Sequence, residues 1–278
     1  MKKVAIVGYG YVGQAVARFF NSHYEVLAYD PHLKKIAKVE NITLCNNKAK
    51  INKCDLAIVS VPTPMGKNGV VDLSIIQETM EWLDTPLILV KSTVPPGTVK
   101  NLVKKTGKAI AFSPEYIGEG KYEVFFWKGY PDPTNMKRHD FMTIGGEPKV
   151  TSAILEFFKS VWGAEPTYLQ TDSTTAELAK YMENAFLATK VTFCNEFKEI
   201  ANAFGVDYNE LRELWLQDKR IGRSHTVVFE NKRGFGGKCL PKDVNGIVKA
   251  SEAAGYEPKL IKQVLASNED FVAKNKGE

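Results

Sequence analysis

Apolar positions along this chain come first in short unbroken runs and later at helical spacing. Val4-Ala5-Ile6-Val7 is the first run, and Gln14 to Phe20 then reads as an apolar-periodic helix. Further runs cover Glu25–Tyr29, Leu56–Val61, Leu87–Val90, Ala109–Phe112 and Phe141–Ile144. Such runs, alternating with helical stretches, predict a parallel sheet with helices on both faces. From about Asp172 the pattern changes. Ala176, Met182, Phe186, Phe193 and Ile200 fall at helical spacing with no Pro or Gly before Gly205, which predicts one helix of roughly thirty residues ending near Phe204. Its apolar residues wrap too far around the circumference for a solvated rod, so burial in a symmetric homodimer is expected.

The first run ends in Gly8-Tyr9-Gly10-Tyr11-Val12-Gly13, and the second ends in Asp30. Strand, glycine turn and helix, followed about twenty residues on by an acid, is the context a dinucleotide site needs. The glycines permit the tight turn and the close approach of a pyrophosphate, while the helix N-terminus attracts the phosphates. Asp30 would accept from the ribose hydroxyls and repel a 2′-phosphate, which favours NAD over NADP. Three later strands run into Pro62-Thr63-Pro64, Lys91-Ser92-Thr93-Val94-Pro95-Pro96-Gly97 and Ser113-Pro114-Glu115. These loops should line one crevice with the glycine turn, because open α/β sheets bind ligands beyond the carboxyl ends of their strands. The aromatic stretch between Lys121 and His139 reads as a packed surface loop, with a lid as the alternative.

Charge and cysteine content narrow the class. The net charge of +5 over 278 residues is mild, and the basic residues form no stripe, which fits an anionic substrate at least as well as nucleic acid; no nucleic-acid partner is expected. The four cysteines show neither CxxC pairs nor disulfide-rich spacing; no metal-ligand pattern, signal peptide or membrane-length apolar run appears. A reduced, soluble, cytoplasmic protein is expected. One cysteine stands in a setting suited to chemistry. Gly234-Phe235-Gly236-Gly237-Lys238-Cys239-Leu240-Pro241-Lys242-Asp243 places a thiol where a helix is about to start, since Pro241 suits a first helical position. Free amides and nearby lysines favour the thiolate there. A Gly-rich loop with a small buried Cys has the same pattern. Lys180 and Asn184, spaced i, i+4, share one face of the long helix, as a solvated surface pair also would.

Taken together, these segments resemble the UDP-glucose 6-dehydrogenase family of nucleotide-sugar dehydrogenases. The resemblance runs from Met1 to about Asn268 through the glycine turn, Val61-Pro62-Thr63-Pro64, the Lys91–Gly97 loop, Phe112-Ser113-Pro114-Glu115, Ala176-Glu177-Leu178 with Lys180 and Asn184, Asn195-Glu196, Arg220-Ile221-Gly222 and the Cys239 segment. It implies an α/β chain with an N-terminal Rossmann-like, mainly parallel sheet over residues 1–170 that binds NAD. An all-helical domain over 171–278, built on the long central helix and carrying the catalytic Cys, would follow. The resemblance also implies Cys239 as nucleophile, with Thr93, Glu119, Lys180, Asn184 and Asp243 around the reacting carbon. Gly8, Gly10, Tyr11, Val12, Gly13, Asp30, Lys35, Thr63, Thr93, Glu119 and Lys242 are the implied cofactor contacts. Glu115, Lys180, Asn184, Arg220 and Gly236 are the implied substrate contacts, with Arg220 serving the neighbouring subunit. Family members carry a further α/β domain that grips much of the uridine diphosphate; this sequence stops at Glu278, before that domain, and is expected to be a short member lacking it, whether as a naturally short relative, a fragment or a chain that works with a separate partner. Gly118 stands where an Arg is common, and the segments after Glu119 and from Arg220 to Cys239 are longer than usual.

Oxidation of a primary alcohol to an acid needs two hydride removals. A cysteine serves the second by trapping the aldehyde as a thiohemiacetal, which becomes a thioester that water opens. UDP-glucose is the expected substrate. Two other readings are compatible with the residues: a hydroxyacid-type dehydrogenase that performs one hydride transfer and leaves Cys239 a bystander, and an inactive cofactor-binding remnant.

Overall fold

The computed structural model describes residues 2–117 and 135–276. The chain forms two compact units, one of residues 1–64 and 72–180, the other of residues 65–71 and 181–278.

The first unit alternates strands and helices. In chain order these are β1 (Lys3–Val7), α1 (Tyr11–Phe20), β2 (Glu25–Tyr29), β3 (Ile42–Leu44), α2 (Lys48–Ile51), β4 (Leu56–Val59), α3 (Ser74–Trp82), β5 (Ile88–Val90), α4 (Thr98–Thr106), β6 (Ile110–Phe112), β7 (Phe141–Gly145), α5 (Pro148–Trp162) and β8 (Thr167–Thr171). The strands join in the order β3-β2-β1-β4-β5-β6-β7-β8, with every neighbour parallel except β6 and β7. Successive side chains of a strand point to opposite faces, so β1 feeds two cores. Val4 and Ile6 bury against Phe19 and Phe20 of α1 and Ile154 and Phe158 of α5. Ala5 and Val7 bury against Ile76 and Met80 of α3 and Val99 and Leu102 of α4. Complete burial of side chains such as Phe20 and Phe158, each contributing about 1.5–3 kcal/mol, holds the helices on both faces.

The long helix α6 (Ser173–Ala203) gives its first turns, through Lys180, to the first unit and the rest to the second. The second unit adds α7 (Tyr208–Trp215), α8 (Leu240–Ala253) and α9 (Lys259–Ala273), and among its described residues no sheet strand occurs. Asp207 caps α7 by accepting from Asn209 and Glu210 N–H. One small core gathers Ala188 of α6, Phe235, Val244 of α8 and Val264 of α9.

Some elements differ from the sequence reading. The helix after the glycine turn starts at Tyr11, not Gln14. The run at 56–61 stops being strand at Val59, where the Ser60 hydroxyl donates to the Gly8 carbonyl. β3 and β8 were not predicted: both are edge strands, with half-exposed polar residues that carry no strong alternation. Most of the expected surface loop at 121–139, with Glu119, lies outside the described residues.

Candidate active site

In the first unit, the glycine turn lies at the carboxyl end of β1, where the sheet order reverses between β1 and β4. Gly8 has φ +89°, and a Cβ there would sit 2.7 Å from the Ser60 carbonyl oxygen. At Gly13 a Cβ would fall 2.0 Å from the Gly8 carbonyl oxygen, so only glycine lets α1 pack this close to its own turn. Nothing lies within 4 Å of a Cβ built at Gly10, which leaves open the side from which a pyrophosphate approaches. Asp30, one residue past β2, accepts from Tyr9 N–H at 3.0 Å and from His32 N–H at 3.0 Å. Its carboxylate is thereby fixed beside the turn, the place an acid must occupy to meet a ribose. A cradle that admits no Cβ at Gly8 or Gly13 and is open at Gly10, with that acid beside it, fits NAD. Tyr11 and Val12 open α1, and Lys35 is exposed five residues beyond Asp30.

The loops after β4 and β5 are tied to each other. The Thr63 hydroxyl donates to the Thr93 carbonyl at 2.8 Å, and the Ser92 hydroxyl donates to the Val61 carbonyl at 2.7 Å. Lys91, buried at the end of β5, donates to Ser113 Oγ and the Pro114 carbonyl and lies 3.4 Å from Glu115 Oε2. Glu115 Oε1 accepts from Ile117 N–H at 2.6 Å. The carboxylate expected to meet substrate is thus engaged by its own loop. Lys180, on the part of α6 in this unit, is buried, and its ammonium lies 5.1 Å from the Tyr116 ring centre.

In the second unit, Cys239 is the N-cap of α8, with Pro241 in the first turn, and it is exposed. Exposure removes the alternative of a small buried cysteine. One turn on, Asp243 is 2% exposed; its Oδ2 accepts from Asn184 Nδ2 of α6 at 2.5 Å and its Oδ1 from Lys242 Nζ at 2.5 Å. Cys239, Asp243, Lys242 and Asn184 thus belong to one end of α8 and the α6 surface beside it. Gly236 is exposed. Arg220 is not drawn in: its side chain is 88% exposed and its guanidinium forks onto Asp218.

Other polar residues hold the site that the sequence reading left without a role: Ser60, Lys91, Glu177, Asn195, Arg233 and Asn268. A signal existed for Lys91, a charge directly after the apolar run Leu87–Val90, and for Glu177, an acid at a helix position otherwise apolar.

The described residues contain no His, Cys, Asp or Glu group able to hold a metal and no helix long and apolar enough to cross a membrane. The NAD binding domain of the UDP-glucose/GDP-mannose dehydrogenase family matches residues 29–126, and the central domain of the same family matches residues 174–270. UDP-glucose 6-dehydrogenase TuaD of Bacillus subtilis is 30% identical over 97% of this chain and 63% of its own. The chain therefore spans less than two thirds of that relative. A UDP-glucose dehydrogenase structure from Pyrobaculum islandicum superposes with a TM-score of 0.78 at 28% identity, covering 97% of this chain and 68% of the other. For a UDP-D-ManNAc dehydrogenase of Pyrococcus horikoshii the values are 0.80 and 25%, with 99% and 70% covered. Matching both domains in their order along the sequence, the chain belongs to the UDP-glucose/GDP-mannose dehydrogenase family and carries its NAD-binding and central domains.

Proposed function

We propose that this chain oxidises the primary alcohol of a UDP-sugar, UDP-glucose first among them, to the uronic acid, with two NAD reduced per sugar. The observation that carries the reading is Cys239: an exposed thiol capping α8, one turn from a buried Asp243 that Asn184 and Lys242 hold. A single-hydride dehydrogenase has no use for that thiol.

The glycine turn and Asp30 hold NAD, with Thr63 and Thr93 on the loops beyond β4 and β5 and Lys242 as further contacts. When bound, NAD supplies the hydride acceptor for both oxidation steps. Cys239 sulfur adds to the aldehyde carbon and keeps the half-oxidised sugar from leaving; at the end, water opens the thioester and the sulfur departs as thiolate. Lys180 and Asn184, one turn apart on α6, are the donors for the oxygen that gains negative charge, a role worth a few kcal/mol. Asp243 accepts from two donors, so it orients the Asn184 amide and stands as a proton-transfer group beside it. Glu119 and Glu115 are the other proton-transfer and substrate candidates, and Arg220 and Gly236 further substrate contacts.

We also propose a cytoplasmic homodimer, consistent with four cysteines that remain thiols. On the second unit's part of α6, Met182, Phe186, Phe193 and Phe197 are exposed, as is Phe204 just past its end, an apolar stripe that a second copy would cover. From it, Arg220 would reach the partner's site. The deciding experiment is NADH formation with a panel of UDP-hexoses and identification of the product. Two NADH per sugar and a uronic acid support the reading; one NADH per sugar replaces it with a single-hydride reaction.

A further inference from the structure

The segment that leads into Cys239 is held by side-chain amides in place of a neighbouring strand. Arg233 N–H donates to Asn275 Oδ1 at 2.7 Å, and its carbonyl accepts from Asn275 Nδ2 at 3.0 Å. Two residues on, Phe235 N–H donates to Asn268 Oδ1 at 2.6 Å, and its carbonyl accepts from Asn268 Nδ2 at 3.0 Å. Between them Gly234 N–H donates to Asn195 Oδ1 at 3.2 Å. A carboxamide presents C=O and N–H side by side, as a strand's backbone does, so each of these two asparagines can exchange both bonds with one backbone residue.

The surroundings make this a built clamp. Asn195, Arg233 and Asn268 are all buried. Arg233 Nε donates to Asn195 Oδ1 at 2.8 Å, and Nη2 donates to Glu199 Oε1 at 2.7 Å, which ties the segment to α6. Gly234 has φ +73°, and a Cβ there would lie 2.6 Å from Asn268 Oδ1, so the chain passes as close to that amide as glycine allows. The Phe235 ring is buried with Ala188, Val244 and Val264. Only Gly236, Gly237 and Lys238 then separate this anchored residue from Cys239, and two glycines in three residues have little conformational preference of their own.

We propose that Asn268 is a positioning residue for Cys239: by pairing both ways with the Phe235 backbone, it fixes the upstream end of the short glycine span whose downstream end is the N-cap of α8. Its consequence for turnover rests on Cys239 being the nucleophile, whereas the ordering of the loop does not. The clamp matters because a reacting group misplaced by about 1 Å loses on the order of a hundredfold in rate.

Asn268→Ala and Asn275→Ala test this in the full chain beside wild type. Hydrogen exchange is followed by mass spectrometry on the peptide spanning 233–239, NADH formation is measured with UDP-glucose, and NAD affinity is measured by calorimetry. For Asn268→Ala, exchange in the peptide should speed up about tenfold, the size of one lost buried hydrogen bond. kcat should fall by a similar or larger factor while NAD affinity is unchanged, because the glycine turn and Asp30 stand in the other unit. General loss of structure would lower the melting temperature and the NAD-binding capacity together. If Asn268→Ala does not fold, Asn275→Ala, acting two residues further upstream, should give the same directions with a smaller effect. Wild-type exchange and wild-type kcat in the folded variants overturn the proposal. If wild type makes no NADH from any UDP-hexose, the functional reading falls and exchange alone decides the clamp: faster in the variants supports it, unchanged overturns it.

Discussion

Glu177 makes the chain's stability depend on pH in a direction opposite to that of most carboxylates. Its side chain is fully buried near the start of α6, where it accepts from Gly97 N–H at 2.5 Å and Val99 N–H at 2.8 Å at the start of α4. Those amides favour the anion, as a helix N-terminus does. Burial favours the neutral acid, and the nearby Asp172 charge works the same way. Burial wins, pushing the carboxyl up from 4.5 to about 7. Between those values the folded protein keeps a proton that the unfolded chain has released. The contribution is therefore fully present below about pH 4.5 and lost as pH rises through about 7. That interval corresponds to about 3 kcal/mol. Glu177→Gln is neutral at every pH and keeps the shape, but its amide N–H₂ must face one of the two backbone donors, at a cost of about 1–3 kcal/mol. Urea unfolding at pH 5, 6, 7 and 8 compares the two proteins. The variant should be the less stable at pH 5, and the gap should close or reverse by pH 8 as wild type alone loses its share. Parallel stability curves would refute the reasoning.

Cys239→Ser should bind NAD normally but fail to complete the second oxidation, because serine is a much weaker nucleophile at neutral pH; a wild-type yield of NADH per sugar from the variant sinks the thioester route. Asp30→Ala removes the acceptor fixed by Tyr9 N–H and should erode a preference for NAD over NADP, read by calorimetry with both dinucleotides. A wild-type protein that already binds NADP more tightly overturns that assignment. Met182→Glu combined with Phe186→Glu, at positions 75% and 62% exposed, should turn a dimer into a monomer by light scattering without loss of helical circular dichroism. A wild-type monomer at micromolar concentration removes the homodimer.

What could be read from the sequence alone was whatever depends on neighbours in the chain. The unbroken runs of β1, β2 and β5, the thirty-one residues of α6 and the turn at Gly8–Gly13 each carry their period or their glycines within a few residues. Cys239 at a helix start was legible for the same reason, since Pro241 marks that start locally. β3 and β8 were not, because edge strands are defined by the strand they pair with more than by their own pattern. Nor could the sequence place the groups that hold the site. Asp243 meets Asn184 across 59 residues, Phe235 meets Asn268 across 33, and Glu177 meets Gly97 across 80. Each of these polar side chains is surface-like in composition, and only the fold removes it from water, at which point a buried polar group must find a partner or lose stability. Periodicity records which face of an element is apolar; which distant backbone amide a carboxylate or carboxamide will meet is decided when the elements pack.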